Sequence, residues 1–232
     1  MEHMNAKILE IFRSIQGEGK YAGAAQVFVR FWGCNMHCVW CDTPTSISEG
    51  KRAYKELSLE EALRQVNALY DHVHGVSITG GEPLLQKDFL KSFCHALHRE
   101  GKRIYLDTNG TLPRALAEII KDIDIIAMDI KLPSSTQQKA FWGEHKEFLK
   151  VARRKEVFVK AVISLNTKAK EVLKAAKLVA AIDPEILFIL QPNYPDMKKG
   201  IIEECVGHQK LCAKILKDVR ILPQVHKFMK LR

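Results

Sequence analysis

The sequence predicts an α/β fold in which a parallel sheet is built from repeated βα units. Short apolar segments alternate along the chain with segments of helical periodicity, which is the pattern of such repeats. Polar or glycine-containing clusters follow the carboxyl ends of the predicted strands, where βα-barrels build their active sites. No Gly-, Ser- or Pro-rich linker interrupts the 232 residues, so we predict a single domain over residues 1–232.

Eight strands are expected. Residues 7–12 are short and only partly alternating, which indicates an edge strand. The later strands are short and apolar, as strands buried on both faces of a parallel sheet are. They cover residues 27–32, 76–79, 103–106, 124–131, 157–163, 186–190 and 219–222.

Six helices are predicted between these strands from amphipathic periodicity and from end signals. Ser58 and Glu61 form a capping box at the start of the first helix, and Gly101 stops the second. The predicted helices cover residues 58–72, 89–98, 112–121, 137–153, 167–181 and 201–216.

Three cysteines lie together in the loop after the strand at residues 27–32. Cys34, Cys38 and Cys41 have the spacing C-x3-C-x2-C. Thiolates are the usual protein ligands of iron–sulfur clusters, and a four-iron cluster with three protein ligands keeps one iron open for chemistry. Structural zinc is the alternative, but it needs four ligands, and His37 between two of the cysteines is badly placed to share their metal. The spacing therefore favours a cluster.

The amino-acid composition indicates which class of protein this is. Apolar residues make up 47% and charged residues 27%, as in globular proteins. Cys94, Cys205 and Cys212 are isolated, which fits reduced thiols in the cytoplasm better than a secreted disulfide framework. Residues 1–7 lack the apolar core of a signal peptide, and no apolar run approaches the ~20 residues of a membrane helix. We expect a soluble cytoplasmic protein that does not bind a membrane.

The net charge of +9 leaves open whether the protein binds nucleic acid or small anions. The one dense basic run is at residues 153–155, with Lys150 and Lys160 nearby, and no aromatic residues interleave it. A solvated face is the favoured interpretation, and no direct contact with nucleic acid is expected.

Two further features are ambiguous on residues alone. The glycine-rich loop at residues 14–23 carries Gln16 and Glu18, which suit a polar heterocycle, although an ordinary turn is equally consistent. Arg30 lies within an apolar strand, where it either extends to water at the strand end or meets a bound anion.

The cysteine triad and the later Gly-Gly-Glu-Pro at residues 80–83 resemble the motifs of the radical S-adenosylmethionine (SAM) superfamily. More narrowly, nearly the whole chain is similar to the 7-carboxy-7-deazaguanine synthases. The stretches that carry this resemblance are residues 16–19, Arg30, and residues 41–43, 79–83, 107–110, 191–192 and 222–227. It implies a partial (β/α)6 TIM-like barrel of the radical SAM type, with a cluster loop at residues 33–46 and a C-terminal strand and tail, residues 218–232, closing the site.

The resemblance also implies an activity. Such a carbon–nitrogen lyase contracts the ring of 6-carboxy-5,6,7,8-tetrahydropterin to give 7-carboxy-7-deazaguanine with loss of ammonia, on the way to the tRNA nucleosides queuosine and archaeosine. The implied cofactors are one [4Fe–4S] cluster, SAM and Mg²⁺. The implied partners are the pterin, a reductant such as flavodoxin or ferredoxin, and a second copy of the chain in a homodimer.

Residue roles follow from motif positions. Cys34, Cys38 and Cys41 are implied to hold the cluster, and Thr43 to bind Mg²⁺. The residues implied to contact SAM are Trp40, Cys41, Asp42, Gly81, Glu82, Asp129, Ile130, Lys131, Ser134 and Gln191. Those implied to contact the pterin are Ile15, Gln16, Gly17, Glu18, Arg30, Thr79, Asp107 and His226, with Arg30 and Thr79 also counted as catalytic. Arg30 would pair its guanidinium fork with the substrate carboxylate.

Two rival functions remain at this point. An activating enzyme for a glycyl-radical protein shares the triad and the barrel, although residues 16–19 with Arg30 favour a small anionic heterocycle over a protein substrate. A non-catalytic metal-binding module that binds RNA is the rival from another class. Asp107 could also simply cap the next helix, and His226 could be an ordinary surface residue.

Overall fold

A single sheet organises the part of the chain that the structure, a computed structural model, describes: residues 5–47 and 54–231. Its nine strands are β1 (Ala6–Ile15), β2 (Ala25–Phe31), β3 (Lys55–Leu57), β4 (Gly75–Gly80), β5 (Ile104–Thr108), β6 (Ile125–Asp129), β7 (Glu156–Ile163), β8 (Phe188–Pro192) and β9 (Val219–Ile221). Residues 1–4, where the absence of a signal peptide is predicted, and residue 232 of the predicted tail lie outside the described residues.

The strands are ordered β3-β1-β2-β4-β5-β6-β7-β8-β9. β1 pairs antiparallel with β2 and β3, whereas β2 and β4 to β9 pair in parallel. The sheet does not close, because β3 and β9 remain edges within the described residues. This open, mainly parallel arrangement confirms the predicted partial barrel.

The helices are α1 (Leu59–Leu69), α2 (Lys87–Arg99), α3 (Pro113–Ile119), α4 (Pro133–Thr136), α5 (Trp142–Ala152), α6 (Ala169–Ala180), α7 (Ile201–Cys212) and α8 (Val225–Met229). Short 3-10 helices cover Gly19–Tyr21, Pro44–Ser46, Pro83–Gln86, Ile120–Asp122 and Tyr194–Lys199. The predicted capping box is present, because the Ser58 hydroxyl accepts from the Glu61 amide and the Glu61 carboxylate accepts from the Ser58 amide. None of the helices in the described part of the chain is long and apolar enough to cross a membrane.

Two predictions of elements are wrong, and one strand was not predicted. The helix expected at residues 137–153 begins only at Trp142, because Gln137 has a φ of 56° and ends the separate helix α4. β3 was not predicted, since its three residues show no apolar alternation and form a strand by pairing with β1. The strand at residues 7–12 was expected at an edge, but β1 lies between β3 and β2 and pairs with both.

Alternation along the central strands separates two apolar layers. One side of the sheet packs against the helices, and the other forms an inner cluster of Tyr105, Ile125, Ala127, Phe158, Leu187 and Ile189. Side chains two residues apart on a strand face the same way. The next inward positions on β5, β6, β7 and β8 are therefore Asp107, Asp129, Lys160 and Gln191, all of which line one cavity. We call the inner apolar cluster the plug. The polar layer next to it, formed by Asp107, Asp129, Lys160 and Gln191, is called the cavity floor.

Candidate active site

The cavity has a volume of about 390 Å³ and lies at the carboxyl ends of the parallel strands. Its walls come from β1, β2, the cluster loop, the ends of β4 to β8, and the C-terminal segment. The residues assigned roles by sequence that line it are Ile15, Gln16, Gly17, Glu18, Arg30, Cys34, Cys38, Trp40, Cys41, Asp42, Thr43, Thr79, Gly81, Asp107, Asp129, Lys131, Gln191 and His226. Positions from residue 15 to residue 226 therefore meet around one space.

The cluster loop is tied to its surroundings by backbone and amide contacts. The Gly33 amide donates to the Ser46 carbonyl at 2.8 Å. The Asn35 side chain donates to Thr111 Oγ1 at 2.9 Å and accepts from Asn109 Nδ2 at 2.8 Å. These contacts hold the three cysteines at the cavity wall. All three are free and partly exposed.

The thiols fit a cluster better than a single zinc ion. Among the described residues, three ligand atoms lie within 4.8 Å of one another only at Glu18, Asp42 and His226, so the three cysteine sulfurs are spread more widely. Sulfurs bound to one tetrahedral zinc would lie about 3.8 Å apart, given Zn–S bonds of about 2.3 Å. Burial raises the pKa of Cys34 to about 11 and raises the pKa values of Cys38 and Cys41, so metal binding here would release protons.

Gly80 allows the end of β4 to pack against the Phe31 backbone of β2, and Gly81 allows it to pack against the cluster loop. A Cβ at Gly81 would lie 2.2 Å from the Gly33 oxygen and 2.8 Å from the Cys34 Cβ. The Glu82 amide donates to that same Gly33 oxygen at 2.8 Å. Gly81 therefore sets the position of Cys34, the first cysteine of the triad.

We expect Gly81→Ala to destabilise the fold by about 1–3 kcal/mol, as overpacking does, and to lower the iron bound per chain. Thermal unfolding and iron analysis after reconstitution measure both effects. Gly143→Ala is the matched control, because a Cβ there meets nothing within 4 Å and an alanine within α5 is favourable by roughly 0.5–1 kcal/mol. An unchanged Tm and iron content in Gly81→Ala would contradict this account.

Three residues implied to contact SAM do not line the cavity. Glu82 is fully buried and accepts hydrogen bonds from Thr108 Oγ1 and from the amides of Leu84 and Asn109, while burial raises its pKa to about 7. The Ser134 hydroxyl donates to Glu171 at 2.7 Å. Ile130 is fully buried in the core. In this structure these three residues lie behind the residues that line the cavity.

The wall beside the cysteines offers both acceptors and an aromatic surface. Lys131 Nζ donates to Asp129 Oδ2 at 2.8 Å and lies 4.8 Å from the centre of the Trp40 ring. Asp129 Oδ1 and Gln191 Oε1 are buried without a hydrogen-bond partner. Buried polar atoms are normally satisfied, so these two oxygens fit the hydroxyl and ammonium donors of a nucleoside cofactor.

The glycine-rich loop forms the opposite wall. Gln16 and Glu18 line the cavity, and the Glu18 amide donates to Gln16 Oε1 at 3.1 Å. The Gly17 carbonyl accepts from the Val225 amide at 2.9 Å, and a Cβ at Gly17 would lie 1.9 Å from His226 Nδ1. The loop is therefore not an ordinary surface turn, because it packs under α8 at the cavity edge.

Arg30 pairs with an acidic side chain on the neighbouring strand, a contact that the sequence did not indicate. Its side chain is 18% exposed, and its Nε donates to Glu10 Oε1 on the neighbouring strand at 2.9 Å. Its Nη1 donates to Thr43 Oγ1 at 3.4 Å. A guanidinium has five N–H donors, so most of the fork remains for an anion in the cavity. Thr79 lies opposite Arg30 in the sheet register and also lines the cavity.

Sequence reasoning missed Lys160 and Gln224. Lys160 was grouped with the basic run at residues 153–155, but it is 5% exposed and faces the cavity, whereas Arg153 and Arg154 are exposed. The available signal was a lysine within the apolar strand at residues 157–163, the same kind of anomaly as Arg30. Gln224 donates to Glu18 Oε1 at 2.7 Å and to Asp42 Oδ2 at 3.3 Å. Only the folded chain reveals that contact.

Comparison with known proteins identifies the relatives of this chain. Residues 30–179 match the family described as the Radical SAM superfamily. The 7-carboxy-7-deazaguanine synthase of Geobacter sulfurreducens is 37% identical over 248 residues, covering 99% of each chain. The 7-carboxy-7-deazaguanine synthase of Archaeoglobus fulgidus is 34% identical over 240 residues, covering 99% of this chain and all of the relative. The chain belongs to the 7-carboxy-7-deazaguanine synthase family of the radical SAM superfamily.

A solved structure has the same fold as this chain. The crystal structure of QueE from Escherichia coli superposes with a TM-score of 0.66 at 20% identity, covering 96% of this chain and 95% of that chain. The open sheet is thus also the fold of a protein of known structure. Membership over nearly the full length favours the synthase over both rivals, the glycyl-radical activating enzyme and the RNA-binding module.

Proposed function

We propose that this chain converts 6-carboxy-5,6,7,8-tetrahydropterin to 7-carboxy-7-deazaguanine with loss of ammonia. The observation that carries the proposal is one cavity lined by three free thiols on one side and by Glu18, Arg30 and Asp107 on the other. The first set suits a cluster, and the second suits a small anionic heterocycle. Relatives named for this activity match over the whole chain.

The cofactor side of the cavity fits a cluster and SAM. Cys34, Cys38 and Cys41 would hold the cluster, which together with SAM supplies one-electron cleavage and hydrogen abstraction from an unactivated carbon. Trp40 offers a ring face to the nucleoside. The unpartnered oxygens of Asp129 and Gln191 would accept from its hydroxyl or ammonium groups. Asp42, Gly81 and Lys131 complete this wall.

The substrate side would orient the pterin. Arg30 supplies the cation for its carboxylate, and its Nε contact with Glu10 holds the fork in place. Gln16, Glu18 and Asp107 supply amide and carboxylate groups that match the polar edge of the ring. Ile15, Gly17, Thr79 and His226 border the same space. Radical chemistry must reach one carbon only, so this orientation matters as much as the cluster.

Mg²⁺ is proposed at Thr43. Its hydroxyl lies beside Asp42 Oδ1 at 3.4 Å and borders the Arg30 subsite, so a hard cation there could also take oxygens from the substrate carboxylate. The convergence of Glu18, Asp42 and His226 is a weaker candidate, because Lys160 and Lys227 already pair with its carboxylates. Activity titrated with Mg²⁺ after chelation tests the requirement.

The partners are proposed on family grounds. A flavodoxin or ferredoxin would supply the electron, and a second copy of the chain would form a homodimer. The six free cysteines are consistent with a reducing cytoplasmic setting. Light scattering of the purified protein tests the dimer.

The decisive experiment is anaerobic incubation of the reconstituted protein with dithionite, SAM, Mg²⁺ and the carboxytetrahydropterin. Mass spectrometry should detect 7-carboxy-7-deazaguanine, with none formed when SAM is omitted. SAM cleavage without a deazapurine product would contradict the substrate assignment. SAM consumption only on addition of a partner protein would instead favour the activating-enzyme rival.

A further inference from the structure

Lys160 is a buried charge in the middle of an apolar strand. It lies on β7 between Phe158, which belongs to the inner apolar cluster, and Val162, which lines the cavity. Its side chain is 6% exposed. Lysine is almost never fully buried unless it is paired, because removing an ammonium from water is costly.

Two carboxylates from distant parts of the chain pair with this ammonium. Lys160 Nζ lies 2.5 Å from Glu18 Oε2 and 3.3 Å from Asp107 Oδ1. Glu18 comes from the glycine-rich loop, 142 residues earlier in the chain, and Asp107 from β5. Both carboxylates line the cavity, so the ammonium joins the loop wall to the floor.

The pairing determines the charge of Glu18. Burial alone would raise the pKa of this carboxyl, but the charge and hydrogen bond of Lys160, helped by Gln224, lower it to about 2. Each Glu18 oxygen accepts one hydrogen bond, Oε1 from Gln224 and Oε2 from Lys160. A carboxylate oxygen has two acceptor sites, so Glu18 keeps capacity for donors on a ligand.

A structural role explains this arrangement poorly. Buried ion pairs contribute little net stability compared with well-packed apolar residues of similar volume, since desolvation offsets their attraction. An apolar residue at position 160 would simply extend the plug formed by Phe158 and its neighbours. Burying the Lys160 ammonium costs desolvation energy, and its side chain faces the cavity. This combination indicates a role in binding a ligand.

We propose that Lys160 is a positioning residue for the heterocycle: it holds the Glu18 and Asp107 carboxylates in place at the cavity floor, where they accept the N–H groups of the pterin's amide edge. The inference rests on the proposed function for the identity of the ligand.

The test is a double-mutant cycle on the reconstituted enzyme with K160M, E18Q and the double variant. We expect K160M to raise the KM for the carboxytetrahydropterin roughly 100-fold, as removal of one member of a buried charge pair does, with the KM for SAM within about twofold. Because Lys160 acts through Glu18, the double variant should be no worse than the poorer single variant. K170M, which changes an exposed lysine on α6, is the control for loss of a charge.

Three outcomes would overturn the proposal. They are a pterin KM for K160M within twofold of the parental enzyme, equal rises in the KM for pterin and for SAM, or a double variant whose effect is the product of the single effects. Should K160M not yield folded protein, the double variant replaces it, since it removes the opposite charge as well. Its pterin KM should then exceed that of E18Q, because Asp107 also loses its partner, and a KM equal to that of E18Q would count against the role. A parental enzyme that converts no pterin would reject the proposed function instead.

Discussion

Cys38→Ala is expected to abolish turnover. The residue is the middle member of the only group of cysteines that lines the cavity among the described residues, and a cluster held by the remaining two thiols would leave two irons without protein ligands. Iron and sulfide per chain should fall after reconstitution, and both SAM cleavage and deazapurine formation should drop below detection. Mass spectrometry and metal analysis measure these.

Cys212→Ala is the matched control for loss of a thiol. Cys212 is buried at the end of α7 in the outer core, away from the cavity wall. Removing its sulfur should cost about 1 kcal/mol of stability and leave iron content and activity unchanged. Normal cluster content in Cys38→Ala would remove the basis for assigning this loop to the cluster.

Arg30→Ala is expected to uncouple SAM cleavage from deazapurine formation. Losing one member of a buried charge pair costs about 2–5 kcal/mol, so kcat/KM for the pterin should fall roughly 30-fold to several thousand-fold. The cluster and the SAM wall lie on other elements, so slow SAM cleavage without deazapurine product should persist. Parallel assays of 5′-deoxyadenosine and deazapurine check this uncoupling.

Two further variants sharpen the arginine test. Arg30→Lys keeps the charge but cannot form two parallel hydrogen bonds, so it should fall between the parental enzyme and Arg30→Ala. Arg99→Ala removes an exposed arginine at the end of α2 and should change neither activity. Equal loss of SAM cleavage and product formation in Arg30→Ala would argue against a carboxylate-binding role.

The sequence predicted the end of the sheet at which the candidate active site lies. Polar residues at the ends of apolar strands, such as Asp107 in β5 and Gln191 in β8, were expected at one end of the sheet, and the structure places both at the cavity. Such predictions succeed because parallel strands align their carboxyl ends and side chains alternate with a period of two. The spacing of Cys34, Cys38 and Cys41 is a local pattern within one loop, so it could be interpreted without knowledge of the fold.

Partners across the barrel were beyond the reach of the sequence. Glu18 meets Lys160 and Gln224 across 142 and 206 residues, and no local pattern encodes that pairing. In this structure Glu82 accepts from Thr108 and Ser134 donates to Glu171, contacts that motif positions did not indicate. Alternation fixes which way a side chain faces, but strand register and barrel curvature decide what it touches.

The chain by itself determined an α/β fold, three thiols on one loop and a glycine, Gly81, that lets the end of β4 approach them. Tertiary structure alone decided that Lys160 belongs to the cavity floor rather than to a basic surface, and that Gln224 ties the C-terminal segment to Glu18 and Asp42. The reason is physical: a buried ammonium is stable only where carboxylates converge on it, and that convergence exists only once β5, β7 and the glycine-rich loop have assembled.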